Sequence, residues 1–170
     1  MPKHTLSVIV ENKFGVLARV ATIIAGRGFN IDSLAVGETE DPTTSRMTIV
    51  VDGDARTVEQ IKKQLNRLID VITVQDLTKG EFLDRELMLV RVGVTPKTRP
   101  EVMDIAQSFK AKVDDVGVKS IVLQVVGDAA KIHTALELLT PYGIEEIVRT
   151  GRVALAREVQ PASANAKAGG

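Results

Sequence analysis

The chain reads as an α+β protein made of two βαββαβ units in tandem, and three observations carry that reading. Short runs alternate apolar and polar residues at the period of a strand, and other runs place apolar residues at the spacing of a helix. The order strand, helix, strand, strand, helix, strand then occurs twice, on either side of the polar hinge Lys79-Gly80-Glu81. With 170 residues, 44% of them hydrophobic, the chain has apolar material for one domain or two small ones.

In the first unit, residues 5–11 alternate so that Leu6, Val8 and Val10 share one face of a strand. A helix follows with Val16, Val20, Ile23 and Ile24 on its buried stripe, and Gly28 supplies the stop. Residues 31–38 are extended, and Met47, Ile49 and Val51 alternate along a third strand. Asp54 caps a second helix striped by Val58, Ile61, Leu65 and Leu68, and residues 71–76 close the unit.

The second unit opens with a strand over residues 86–94 and a helix announced by Thr98-Arg99-Pro100-Glu101, a capping-box pattern, with Val102, Ile105, Ala106 and Phe109 facing inward. A short extended piece near residues 115–117, a strand over 121–126, a helix capped by Asp128 and striped by Ile132, Leu136 and Leu139, and a strand over 144–149 complete it. Two ferredoxin-like units are the simplest architecture for this order. The expected boundaries are residues 1–78, residues 79–158 and an Ala-, Ser- and Gly-rich flexible tail over 159–170. A lone βαββαβ unit leaves one sheet face and its edges uncovered, so a homodimer is expected.

Composition excludes several functions. Lys plus Arg equals Asp plus Glu at 22 each, and the strands carry almost no aromatic residues, so neither the basic surface nor the base-stacking platform of a nucleic-acid binder is present. No stretch approaches a membrane span, the start lacks a secretory signature, and with no cysteine a cytoplasmic location is expected. Catalysis lacks its parts as well. His4 and His133 read as surface histidines, and Asp114-Asp115 and Glu145-Glu146 as solvated carboxylates on opposite strand faces. Gly26-Arg27-Gly28 ends a helix and lacks the spacing of a phosphate loop. No catalytic or metal-binding residue is assigned.

The turn Asn12-Lys13-Phe14-Gly15-Val16-Leu17 is different, because a strand there becomes a helix whose first N–H groups have no partner within the helix. The N–H groups of Gly15, Val16 and Leu17 suit a carboxylate, and carbonyl oxygens near Asn12 and Asn30 suit an ammonium. Val16, Leu17 and Ile31 offer apolar lining for a branched aliphatic group. The parts fit a small zwitterionic amino acid. The plainer readings are that Gly15 permits a turn and that Asn30 is a left-handed residue after the helix.

Leu6-Ser7-Val8 followed by Glu11-Asn12-Lys13-Phe14-Gly15-Val16-Leu17-Ala18-Arg19-Val20 resembles the start of the small regulatory subunits of acetolactate synthase (acetohydroxyacid synthase). Arg27-Gly28-Phe29-Asn30-Ile31-Asp32-Ser33-Leu34, Asp41-Pro42-Thr43, Ser45-Arg46-Met47-Thr48-Ile49, Gln64-Leu65 and Leu68-Ile69-Asp70-Val71 continue that pattern in order. Arg85-Glu86-Leu87-Met88-Leu89-Val90 and Thr150-Gly151-Arg152-Val153-Ala154-Leu155-Ala156-Arg157 extend it into the second half.

The resemblance implies an amino-terminal ACT domain and a carboxy-terminal ferredoxin-like domain in a homodimer, with an end-product amino acid, usually valine, bound between ACT domains. Carried over, Asn12, Gly15, Val16, Leu17, Asn30 and Ile31 form that effector site, with leucine or isoleucine as other candidates. The chain is then not an enzyme. It activates a separate catalytic large subunit that uses thiamine diphosphate, FAD and magnesium, and binds none of these itself. The loop over residues 38–46 is expected to touch that partner, to act as a mobile lid, or simply to connect a solvated hairpin. The alternatives are a stand-alone ACT amino-acid sensor controlling another enzyme or a transcriptional partner, and a purely structural subunit with a vestigial pocket.

Overall fold

In the computed structural model, which describes residues 2–158, eight strands and four α-helices form two βαββαβ units, and a ninth strand follows them. The first unit comprises β1 (Lys3–Glu11), α1 (Val16–Ala25), β2 (Ile31–Glu38), β3 (Thr44–Asp52), α2 (Ala55–Leu65) and β4 (Val71–Asp76). Its sheet has the order β2-β3-β1-β4, with neighbours antiparallel. The second comprises β5 (Phe82–Gly93), α3 (Arg99–Ser108), β6 (Lys112–Val116), β7 (Ser120–Gly127), α4 (Ala129–Leu139) and β8 (Ile144–Arg149), in the order β6-β7-β5-β8. Both are ferredoxin-like. The expectation for a flexible tail over 159–170 lies outside the described residues.

Period-two alternation sets the register in each sheet. Leu6 lies opposite Ile49 and Val8 opposite Met47, so a whole apolar face meets α1 and α2 in one buried core with Val20, Ile24, Ile61 and Leu65. Met88 opposite Val125 and Val90 opposite Leu123 do the same beneath α3 and α4, with Val102, Ile132 and Leu139. The two cores are separate. Asp54 and Asp128 cap their helices as expected, accepting the N–H groups of Thr57 at 2.7 Å and Lys131 at 2.8 Å.

Several sequence expectations are corrected. The capping box at Thr98 does not form, because the Thr98 hydroxyl accepts the Thr95 N–H at 2.9 Å while the Thr95 hydroxyl accepts the Thr98 N–H at 3.1 Å. Glu101 instead bonds Tyr142, raising that phenol above its usual pKa. Helix α1 stops at Ala25, ahead of Gly28, whose φ of +74° turns the chain toward β2. Asp114 sits at a register shift in β6, so strict alternation fails there, yet it and Asp115 are both exposed as expected. His4 is no surface histidine: its largely buried ring lies 3.3 Å from the Asp76 carboxylate, whereas His133 is exposed beside Glu137.

The largest correction concerns the uncovered sheet face. Phe82 belongs to β5, not to the hinge, and β5 outruns its own sheet so that Phe82–Arg85 pair with a strand missing from the sequence reading, β9 (Val153–Ala156). Ala154 of this ribbon is buried, and Thr5, Ser7, Thr48 and Val50, on the face of the first sheet away from its helices, are almost wholly buried too. The carboxy-terminal segment therefore covers a face that the pattern of the first unit leaves open.

Candidate functional site

The turn between β1 and α1 is held from both sides. Glu11 N–H donates to the Asp70 carbonyl and Asn12 N–H to the Thr43 carbonyl, each at 2.8 Å, and the Asn12 side-chain amide donates to Glu38 at 3.2 Å and to the Pro42 carbonyl at 3.1 Å. The loop over residues 39–43 is thereby a fastened hairpin turn: Asp41 also takes the Thr43 N–H at 2.9 Å, and Thr39 N–H reaches the Thr44 carbonyl at 3.1 Å. The Lys13 ammonium lies 2.7 Å from Glu11, and this hydrogen bond raises its pKa.

Gly15 caps α1 with φ of +82°, a conformation L residues resist, and supplies no capping side chain. Val16 N–H reaches the Lys13 carbonyl only at 3.5 Å, and among the described residues no acceptor takes the Gly15 or Leu17 N–H. A helix N-terminus left open in this way favours a carboxylate. The side chains divide differently from the sequence expectation. Val16 is 2% exposed and belongs to the core, so only its backbone is available to a ligand, whereas Leu17 is 44% exposed beside the fully exposed Phe14.

Asn30 is not left-handed, since Lys110 is the one non-glycine residue with positive φ among those described. Its amide donates to Asp32 at 2.8 Å, and Asp32 pairs with Lys3 at 2.7 Å. Lys3, with a smaller share from Asn30, holds the Asp32 carboxyl below the usual carboxylate range. Ile31 lies opposite Val51 and packs on the first core. Neither Lys3 nor Asp32 was singled out from sequence, because nothing near Lys3 in the chain announces a partner that only strand pairing supplies.

Within one chain these residues do not form one site. β1 and β2 both run antiparallel to β3 and hence in the same direction, so Asn12 follows the end of β1 while Asn30 precedes the start of β2. The nine residues of β1 separate the two ends by roughly 30 Å at about 3.3 Å per residue. Asn12, Gly15 and Leu17 share one end of the sheet. Asn30, Ile31 and Asp32 share the other.

Comparison with known proteins places the chain. Residues 6–73 match the family model for the AHAS small subunit-like ACT domain, and residues 85–158 match that for the small subunit of acetolactate synthase. The chain is 49% identical over 155 residues to the probable acetolactate synthase small subunit of Archaeoglobus fulgidus, covering 91% of this chain and 97% of that one. It is 50% identical over 159 residues to the acetolactate synthase small subunit of Aquifex aeolicus, covering 92% and 82%. The crystal structure of the small subunit from Thermotoga maritima superposes with a TM-score of 0.84 at 36% identity, covering 94% of this chain and all of the other. With both units matched in order, the chain belongs to the acetolactate synthase small-subunit family.

Proposed function

We propose that this chain is a regulatory subunit that joins a catalytic acetolactate synthase subunit, raises its activity and makes it sensitive to feedback by valine. The observation that carries the effector half is the open N-terminus of α1 at Gly15–Leu17. Its complement lies on a second copy. β2 is an edge strand, and since α2 packs beside β4, α1 lies toward the β2 side. Pairing two β2 edges about a two-fold axis is necessarily antiparallel, and it sets Asn30 of the partner subunit beside Glu38, where Asn12 is already bonded. One site then combines N–H donors at Gly15, Val16 and Leu17, the Asn12 amide, and Asn30 and Ile31 of the partner subunit. This arrangement suits a zwitterion with a short apolar side chain.

Valine coupling of the usual size, about 1–3 kcal/mol, suffices for 5–150-fold control of the catalytic partner. Thiamine diphosphate, FAD and magnesium are assigned to that partner. The test is a calorimetric titration with valine, leucine, isoleucine and serine, repeated on Asn30→Ala. Valine is expected to saturate the wild type, and the variant is expected to remain dimeric and activating while binding valine at least tenfold more weakly. A variant that loses activation but keeps valine inhibition overturns the site assignment, and a preference for serine redirects the reading to an ACT sensor of another enzyme.

A further inference from the structure

Where the carboxy-terminal segment meets the first unit, it touches β2 just beyond Asn30. Arg152 N–H donates to the Ser33 hydroxyl at 2.7 Å across 119 residues of sequence. Gly151, with φ of +81°, lies so close that a Cβ there would stand 3.0 Å from both the Leu34 carbonyl oxygen and the Ser33 hydroxyl. Only glycine fits this approach. A cleft of about 390 Å³ opens beside this contact, lined by Lys3, Asp32, Glu86, Arg149 and Arg152.

Asp32 links this contact to the effector end. It occupies the register shift between Ile31 and Ser33, one residue from the hydroxyl that receives Arg152. Its carboxylate is held by Lys3 and by the Asn30 amide. A ligand that engages the Asn30 amide removes one of those two partners, and a strand irregularity is the point on β2 most able to change backbone geometry in response.

We propose that Ser33, Gly151 and Arg152 form a releasable clamp between the carboxy-terminal unit and the first sheet, and that effector occupancy of Asn30 opens it through Asp32. This inference rests on the effector reading above. Clamp closure and effector binding are then antagonistic, and linkage requires each to weaken the other by the same factor.

Hydrogen exchange at the Arg152 amide in the full-length chain, followed by NMR with and without valine, reads the clamp directly. Valine is expected to speed this exchange several-fold in the wild type, and Asp32→Asn to speed it without any ligand. Ser33→Ala, which removes only a hydroxyl, is expected to bind valine tighter, by at most the factor by which valine speeds exchange in the wild type. Valine that binds the wild type while leaving Arg152 exchange and the Ser33→Ala affinity unchanged overturns the clamp alone. A wild type that binds neither valine nor its branched relatives overturns the functional reading. Unchanged Arg152 exchange in Asp32→Asn shows that Asp32 does not govern the contact.

Discussion

The two units turn from their first strand into their first helix in opposite ways. At Gly15 the first unit uses a left-handed glycine with no capping side chain, and the N–H groups of Gly15 and Leu17 have no acceptor among the described residues. At the corresponding turn of the second unit Thr95 and Thr98 exchange hydrogen bonds, Arg99 N–H donates to the Thr95 carbonyl at 2.9 Å, and the Arg99 guanidinium reaches the Gly117 carbonyl at 2.7 Å. The second turn is tied by its own threonine hydroxyls, and the first has no side chain in that role. The same fold therefore carries an uncapped turn in one unit and a threonine-tied turn in the other, and the difference lies in a few turn residues.

The outer sheet faces differ as well. Thr5, Ser7, Thr48 and Val50 of the first sheet lie under the β5–β9 ribbon, whereas Leu89 and Val122 of the second are half-buried and Val126 and Val148 are exposed. The first unit is covered by the second and not the reverse.

The largest test of this asymmetry removes a core side chain from each unit. Ile61→Ala and Ile132→Ala are each expected to cost about 2–5 kcal/mol. Because their cores are separate, hydrogen exchange should rise mainly in the unit carrying the substitution; uniform loss in both units would mean that they unfold as one. Next is Arg149→Ala, which leaves Glu86, 5% exposed, without its two bonds of 2.7 and 2.8 Å. The expected cost in urea denaturation is about 2 kcal/mol, below the 3–5 of a fully buried pair because half of Arg149 lies in solvent.

Gly15→Ala comes third, at about 1–2 kcal/mol for a left-handed alanine, and valine affinity should fall with it. Thr98→Ala in the second unit should leave valine binding untouched, and equal effects on binding would erase the contrast between the turns. The smallest expected effect is on pH dependence. The Asp32 pKa is lowered by Lys3, so the stability it contributes is complete above the ordinary carboxylate value of about 4 and is lost as pH falls through the depressed folded value. Lys3→Met should flatten the acid limb of a stability-against-pH curve, and an unchanged limb would mean that the pair contributes nothing in solution.

Much of this was legible along the chain. Leu6-Val8-Val10 and Met47-Ile49-Val51 announce strands because burial on one face imposes period two, and Asp54 and Asp128 announce helix starts because a carboxylate meets an unsatisfied N–H three residues on. Thr98 misled because Thr95, an equally good partner, lies as near as Glu101 does. β9 was missed because four residues, Val-Ala-Leu-Ala, carry no alternation and pair with a strand some 70 residues earlier.

Spacing within about a dozen residues was enough for the order of the elements in the two units, for the apolar stripes that line their cores and for the glycine turn at the head of α1. Tertiary structure alone decided that Asn12 and Asn30 lie at opposite ends of one sheet, that β9 covers the first sheet, and that Gly151 meets Leu34. Those facts depend on strand pairing between residues far apart in the chain, and local propensity carries no record of which distant segment a strand will meet.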